Sequence, residues 1–154
     1  MKVKDYMAQA LQEARAALAR GEVPVGAVIV KDGEIIARAG NRCEQDADPT
    51  AHAEVLAIRE AARALGDWRL KGCTLYVTLE PCCMCAGAIK NARLSRVVFG
   101  AFDPVAGCCG SRADVTALGC HAEIVGGILQ DECAALLADC FKTSRSIAEQ
   151  EEQG

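Results

Sequence analysis

The sequence contains no apolar run close to the about 20 residues that a membrane-spanning helix requires, and residues 1–11 lack the continuous apolar segment of a secretory signal. It also lacks internal repeats, linkers and a disordered composition, since 51% of its residues are hydrophobic and 25% are charged. A chain of 154 residues is long enough to bury one core. We therefore expect one cytoplasmic domain at residues 1–148, a frayed polar tail at residues 149–154, and no membrane partner.

Histidine is scarce, with two residues, whereas cysteine is abundant, with ten. Disulfides are rare in the cytosol, so cysteines in a chain without an export signal indicate reduced thiols, metal ligands or core residues. We expect no disulfide framework, and the few cysteines that carry chemistry must be found from their spacing.

The charge is unevenly distributed along the chain. A net charge of −4 and an isoelectric point near 5.2 argue against strong non-specific binding to nucleic acid. Residues 59–112, however, contain eight basic and four acidic residues. A local nucleic-acid patch is one interpretation, and an ordinary solvated face is the other and more common one. The candidate patch consists of Arg59, Arg63, Arg69, Lys71, Lys90, Arg93 and Arg96.

Helical and strand patterns alternate along the chain. Apolar residues at helical spacing predict a first helix over about residues 4–20, and two β-rich runs around residues 31–33 predict a hairpin. The stretches 41–50 and 100–110 are expected as loops. Further helices are expected near residues 51–65, 81–91 and 130–147, and further strands near residues 73–79, 96–99 and 122–125. This order predicts the α/β class, as a three-layer α/β/α sandwich with a central mixed five-stranded sheet.

Two short motifs indicate a metal site. His52 stands in the sequence His-Ala-Glu at the start of the second predicted helix, and Cys82 and Cys85 form a Cys-x-x-Cys at the start of the next. Residues three apart share a helix face, and a helix N-terminus favours the thiolate that binds metal. Two thiolates and one imidazole suit zinc, and three protein ligands leave a fourth position for water. We predict a catalytic zinc, one per chain.

Glu54 lies two residues after His52, about 200° around a regular helix, so it is poorly placed as a fourth ligand. It can instead move protons between a zinc-activated water and a substrate. Glu54 is therefore the predicted catalytic residue. His-x-Glu followed by Pro-Cys-x-x-Cys is similar to the signature of zinc-dependent nucleobase deaminases.

Other interpretations of these residues remain. A lone Cys-x-x-Cys can be a redox pair or half of a zinc ribbon, but a ribbon needs a second pair, and a redox pair leaves His52 and Glu54 without a role. Cys83 is an alternative ligand to Cys82, but with Cys85 it forms an i, i+2 pair on opposite sides of a helix. A purely structural zinc protein is a further alternative.

Longer segments resemble one family, the bacterial tRNA-specific adenosine deaminases of the cytidine-deaminase-like superfamily. The resemblance covers about residues 6–145. It is carried by residues 21–28, 48–55, 74–82, 84–89, 96–101 and 127–137. It implies a cytidine-deaminase-like fold and hydrolysis of adenosine to inosine at the wobble position of a tRNA anticodon. It also implies that the partner is a tRNA anticodon stem-loop and that the chain forms a homodimer.

The resemblance also implies roles for individual residues. His52, Cys82 and Cys85 match the zinc ligands and Glu54 the proton shuttle. The remaining matches are substrate-binding residues, namely Asn41, which would hydrogen-bond the flipped base, and the RNA contacts Asp103, Phe141, Lys142 and Arg145. From the residues alone, Asn41 also fits a turn, Asp103 a turn beside Pro104, and Phe141 the apolar stripe of the last helix.

Two alternative functions share the same zinc motif. A deaminase of a free base or nucleotide, of the guanine or cytosine type, would carry the same four residues. A non-catalytic RNA-binding deaminase subunit would be expected to lose the shuttle carboxylate, and Glu54 is present. Inosine formation in tRNA is the observation that separates these functions.

Overall fold

The fold is an open five-stranded sheet with helices packed on both faces. The computed structural model describes the backbone of residues 1–153 and the side chains of residues 1–141. The helices are α1 (Val3–Ala19), α2 (Cys43–Asp46), α3 (Ala53–Leu65), α4 (Cys83–Ala92) and α5 (Gln130–Gln153), and the strands are β1 (Gly26–Lys31), β2 (Glu34–Gly40), β3 (Cys73–Leu79), β4 (Arg96–Ala101) and β5 (Glu123–Val125). Among the described helices, none has both the length and the apolar character needed to cross a membrane.

The sheet has the strand order β2-β1-β3-β4-β5. The pairs β1–β2 and β1–β3 are antiparallel, whereas β3–β4 and β4–β5 are parallel. Helices α1 and α5 contact each other and the sheet, and α3 and α4 form a second contacting pair. The predicted three-layer α/β/α sandwich with a mixed five-stranded sheet is confirmed.

Continuous apolar runs form the three inner strands because both faces of these strands are covered. The side chains of Ile29 on β1, Leu75 and Val77 on β3, and Val97 and Val98 on β4 are fully buried. The predicted Asp32-Gly33 hairpin joins β1 to β2, and both residues have positive φ, as a type I′ turn requires.

Several boundaries differ from the predictions. The stretch 41–50, expected as a loop, contains the short helix α2. Helix α3 begins at Ala53 rather than near residue 51, and α4 begins at Cys83 rather than at Pro81. Between β4 and β5 the chain forms only a 3₁₀ turn, at Val115–Ala117. Helix α5 continues through residues 149–153, so the division into a domain at 1–148 and a tail at 149–154 stays a prediction.

The strand directions decide where a site can form. Strands β2, β3 and β4 run in the same direction, so their carboxyl ends lie at one edge of the sheet. The chain leaves this edge into the loop before α3, into the start of α4 and into the loop after β4. The loops at the carboxyl ends of strands are where open α/β sheets bind ligands.

Gly26 permits α1 to pack closely on β1. A Cβ atom at this position would overlap the backbone carbonyl of Ala10 and the backbone nitrogen of Ala14. We predict that Gly26→Ala lowers the free energy of unfolding by roughly 3 kcal/mol, because neither backbone atom can move without shifting the helix. Urea unfolding of the zinc-loaded protein measures this change.

Gly87 supplies the matched control, because nothing lies within 4 Å of a Cβ atom built there. Gly87→Ala in the interior of α4 should stabilise the protein by about 0.5–1 kcal/mol through helix propensity. Equal effects of the two substitutions would contradict the proposed close approach of α1.

Candidate metal centre and substrate cavity

Three side chains converge at the carboxyl edge of the sheet. His52 is the N-cap residue of α3, and Cys82 is the N-cap residue of α4, with Cys85 in the first turn of that helix. The sulfurs of Cys82 and Cys85 lie 3.6 Å and 3.5 Å from Nδ1 of His52. The ligand atoms of all three residues lie within 4.8 Å of one another. Helix packing therefore joins motifs that are thirty residues apart in the chain.

The spacing of these atoms fits zinc. Zn–S bonds of about 2.3 Å and Zn–N bonds of about 2.0–2.1 Å place tetrahedral sulfur and nitrogen ligands about 3.5 Å apart. The two observed sulfur–nitrogen distances, 3.6 Å and 3.5 Å, match this value. One imidazole and two thiols are also donor types that zinc prefers, and three protein ligands are typical of a catalytic zinc site.

The N-cap geometry corrects one step of the sequence argument. His52 has extended backbone, with φ −74° and ψ 149°, so the angle of about 200° on a regular helix does not relate it to Glu54. Cys82 is likewise extended, with φ −73° and ψ 177°. The extended N-cap residues let the His52 and Cys82 side chains meet in front of the two helices. Among the described residues, the cluster of ligand atoms includes neither Glu54 nor Cys83.

The surroundings of the two thiols shift their pKa values in opposite directions. A hydrogen bond from the Cys85 thiol lowers the pKa of Cys82 to about 5, and His52 and nearby backbone N–H groups act in the same direction. The same hydrogen bond, together with burial, raises the pKa of Cys85. The amino ends of α3 and α4 both point at this position and favour negative charge. The pair thus holds a thiolate that is ready to bind metal.

Glu54 lies beside this cluster as the second residue of α3. Its side chain is only 4% exposed, and burial raises the pKa of its carboxyl group above the ordinary value. Cys85 hydrogen-bonds to the carboxylate and lowers the pKa in part. A buried carboxyl group with a raised pKa is suited to accept and return a proton near neutral pH.

A cavity of about 700 Å³ opens over the site. Three of the residues predicted from the motifs line it, namely His52, Glu54 and Cys82, and two of the predicted substrate-binding residues join them, Asn41 and Asp103. Its volume lies in the range of small-molecule and cofactor sites. The structure therefore places most of the predicted site residues around one space.

Asn41 joins the loop after β2 to the start of α3. Its side-chain oxygen accepts a hydrogen bond of 2.8 Å from the backbone nitrogen of Ala53. This bond orients the carboxamide, whose NH₂ group retains the capacity to donate. The backbone carbonyl of Asn41 accepts a second bond, of 3.2 Å, from Arg20. Asn41 thus has a structural role and also lines the cavity.

Asp103 forms the turn beside Pro104 that was its alternative interpretation. Its side-chain oxygen accepts bonds of 3.0 Å from the backbone nitrogen of Val105 and 3.1 Å from that of Ala106.

Phe141 is 56% exposed, which places its ring outside the apolar stripe of α5 that was the other interpretation. The side chains of Lys142 and Arg145 lie outside the described residues.

Two buried glutamates that shape the cavity were not predicted. The carboxylate of Glu80 accepts backbone N–H groups from Asp103, Cys109 and Ser111, each at 3.1 Å, and the Ser111 hydroxyl. One side chain thus holds the loop after β4 against the end of β3. A charged residue directly after an apolar strand is the signal that could have revealed it.

The carboxylate of Glu22 plays the corresponding part on the other side of the cavity. It accepts the backbone N–H groups of Gln45, at 2.9 Å, and Glu44, at 3.2 Å, at the start of α2. Both glutamates line the cavity. None of the ten cysteines, all of which lie within the described residues, forms a disulfide in the structure.

Comparisons with known proteins agree with this geometry. Residues 1–101 match the family described as the cytidine and deoxycytidylate deaminase zinc-binding region. The tRNA-specific adenosine deaminase of Bacillus subtilis is 52% identical over 143 residues, which cover 91% of this chain and 89% of that protein.

Solved structures similar to this chain are also deaminases. A structure from studies of A-to-I editing by tRNA:A34 deaminases is 48% identical, with a TM-score of 0.81, and the match covers 86% of this chain and 99% of that one. A guanine deaminase from Bacillus subtilis is 45% identical, with a TM-score of 0.64, over 66% of each chain.

The adjacent cysteines at the start of α4 provide a matched test of metal binding. We predict that Cys82→Ser removes zinc, because it deletes one of three converging ligand atoms while keeping a good N-cap residue. Cys83→Ser should retain one zinc per chain, because Cys83 is exposed and lies outside the cluster. Metal analysis of the purified variants measures both, and zinc retention by Cys82→Ser would contradict the assignment.

Glu80 is predicted to stabilise the loop at residues 103–111. Glu80→Gln should lower the free energy of unfolding by about 2–3 kcal/mol, because an amide cannot accept all the N–H groups that the carboxylate accepts. Limited proteolysis should also cut this loop faster. The control is Glu34→Gln, at an exposed position that begins the edge strand β2, which should change stability by less than about 0.5 kcal/mol. Indistinguishable variants would show that Glu80 does not organise the loop.

Proposed function

Because this chain belongs to the cytidine and deoxycytidylate deaminase zinc-binding family, within its tRNA-specific adenosine deaminases, we propose that it hydrolyses adenosine to inosine in tRNA. The similarity to tRNA-specific adenosine deaminases extends over nearly the whole of both chains, and this observation carries the choice of substrate. The site of reaction is the wobble adenosine of the anticodon, as in the tRNA:A34 deaminases.

Zinc is the cofactor, and His52, Cys82 and Cys85 are the residues that would hold it. Bound there, zinc supplies Lewis-acid activation of water near neutral pH. The overall reaction replaces the amino group at C6 of adenine by oxygen from water and releases ammonia. An unpaired anticodon base is readily turned into a cavity of this kind, since little pairing energy is lost.

Glu54 is the proposed proton carrier. Its carboxylate takes up one proton of the attacking water and delivers it to the purine ring. It then takes up the second proton of the same water oxygen and passes it to the departing amine, which leaves as ammonia, so that Glu54 ends as the carboxylate again. Burial supports this role because it raises the pKa of the carboxyl group. A larger fraction of the group is then protonated near neutral pH and can act as an acid.

Asn41 is the proposed contact to the base. Its carboxamide is held by Ala53 at 2.8 Å and lines the same cavity as Glu54, so its NH₂ group is oriented before substrate arrives. Asp103 and Phe141 are proposed to contact the anticodon loop at the rim, with Phe141 offering an exposed ring for stacking. Lys142 and Arg145 are proposed as phosphate contacts further along α5.

We also propose that the enzyme is a cytoplasmic homodimer. The dimer is proposed from the family resemblance. The cytoplasm is the compartment in which ten free thiols persist in the reduced state. Sedimentation of the zinc-loaded protein would determine its oligomeric state.

A free-base deaminase is the second candidate, because the guanine deaminase of Bacillus subtilis is 45% identical. That match covers 66% of each chain, whereas the tRNA-specific relative is covered over 89% of its length. The more complete similarity favours RNA as the substrate.

An inosine assay tests the proposal. The wild-type enzyme should form inosine in a tRNA with adenosine at the wobble position, and should leave the same tRNA with guanosine there unchanged. Glu54→Gln should keep one zinc per chain but lose activity by at least about 10²-fold, because proton transfer typically contributes that much. Turnover of free guanine or cytidine without inosine formation would reject the tRNA assignment, and full activity of Glu54→Gln would reject the mechanism.

A further inference from the structure

A second cavity, of about 290 Å³, lies away from the zinc site. Four basic side chains from three separate segments line it, namely Lys71, Lys90, Arg93 and His121. We call this feature the basic groove. Its apolar floor includes Ile89 and Leu94, which are buried. Lys71, Lys90 and Arg93 come from residues 59–112, where basic residues exceed acidic ones by eight to four, and His121 follows this stretch.

The groove and the zinc site lie at opposite ends of α4. Cys82 and Cys85 are at the amino end of this helix, whereas Lys90 and Arg93 are at its carboxyl end. At 1.5 Å per residue, the length of α4 separates the two places by about 15 Å. Lys71 also precedes β3, at the edge of the sheet opposite to the cavity. The groove is thus a separate surface feature.

Lys71, Lys90 and Arg93 form no ion pair within 4 Å with any described carboxylate. Among the described side chains, ion pairs within 4 Å involve Arg38, Arg42, Arg69 and Arg96, and none involves Lys71, Lys90 or Arg93. Two acidic residues close in sequence to Lys71 and His121 form ion pairs with other residues, Asp67 with Arg69 at 3.2 Å and Glu123 with Arg96 at 3.5 Å. Like charges gathered in one cavity repel each other unless an anion is present.

The carboxyl end of a helix attracts cations, and this effect accounts for part of the arrangement. Arg93 donates a hydrogen bond of 3.0 Å to the carbonyl of Lys90. The helix dipole of α4 does not explain the positions of Lys71 and His121, which belong to other segments of the chain. Arg93 also has a φ of 61°, a left-handed conformation that glycine usually adopts at a helix end. An arginine at this position is therefore strained in its backbone.

Trp68, an exposed aromatic residue, lies next to Arg93 of the groove. The indole is 54% exposed, and the guanidinium of Arg69 lies 4.4 Å from its centroid. The guanidinium of Arg93 lies 5.9 Å from the same centroid, so Arg93 faces both Trp68 and the groove. Cations that bind phosphates, combined with an exposed aromatic ring for stacking, are typical of surfaces that bind single-stranded nucleic acid.

We infer that the basic groove binds phosphate groups of the RNA backbone, as a contact separate from the reacting base. The inference rests on the proposed tRNA substrate. The groove lies about 15 Å from the zinc site along α4, a distance that a few nucleotides of backbone can span. An anticodon stem-loop whose reacting base occupies the cavity has backbone within this reach. The contact supplies affinity and not sequence selection.

Binding of an anticodon stem-loop to the full-length protein tests the inference. The background is Glu54→Gln, so that the substrate is not consumed. The groove variants are Arg93→Gly, which also relieves the strained backbone, and the double variant Lys71→Gln/Lys90→Gln. The control is Lys4→Gln, which removes one exposed charge from α1. Affinity is measured by anisotropy of labelled RNA over a series of salt concentrations, and Trp68, the only tryptophan, reports occupancy by its fluorescence.

The expected result is a quench of Trp68 fluorescence by the stem-loop, and a reduction of the salt slope of binding by about one for each cation removed. Lys4→Gln should leave the slope unchanged. Groove variants that behave like Lys4→Gln, in a protein whose unmodified form makes inosine, would overturn the inference but not the proposed function. Saturable binding of inorganic phosphate that does not compete with the stem-loop would assign the groove to a free anion and overturn the RNA contact.

Discussion

The site depends on one constraint, the meeting of two helix amino termini at the carboxyl edge of the sheet. His52 and Cys82 are both N-cap residues, and their extended backbones allow the imidazole and the thiol to meet in front of α3 and α4. The N-cap position also exposes each ligand to the positive end of a helix, which favours thiolate over thiol. Parallel pairing of β3 with β4 and the burial of both strands keep this edge in place. Metal binding therefore depends on the packing of α3 and α4, because this packing sets the distances between the ligand atoms.

Three buried glutamates surround the cavity, and their surroundings explain their different roles. Glu80 and Glu22 each accept backbone N–H groups from a neighbouring loop, so their carboxylates are bound within the structure. Glu54 is buried beside the thiol of Cys85 and the ring of His52, and burial raises its pKa. A carboxylate engaged by several N–H groups stabilises a loop, whereas one with a raised pKa can exchange a proton. The proposed chemistry thus uses the glutamate whose carboxyl pKa is raised by burial beside the metal ligands.

The sequence predicted the fold and the metal motif from features that are local in the chain. The buried strands β3 and β4 and the Asp32-Gly33 hairpin were recognised because alternation, apolar runs and turn residues are nearest-neighbour patterns. Helix α2 was missed because the carboxylate of Glu22, about twenty residues earlier, binds its first N–H groups. The start of α4 was placed one or two residues too early because Pro81 suits either side of a helix boundary. Each of these differences involves a partner or a choice that lies outside the local pattern.

The sequence by itself determined which residues can do chemistry: the His-x-Glu at residues 52–54, the Cys-x-x-Cys at residues 82–85, and a middle region with more basic than acidic residues. The tertiary structure decided where these residues act. It brought Nδ1 of His52 to 3.5 Å from the sulfur of Cys85. It made the side chain of Asp103 a hydrogen-bond acceptor that stabilises a turn. At the other end of α4 it placed four basic residues around one groove, namely Lys71, Lys90, Arg93 and His121. The physical reason is that residue types define donors and charges, whereas distances between them are set only when helices and strands that are remote in sequence pack together.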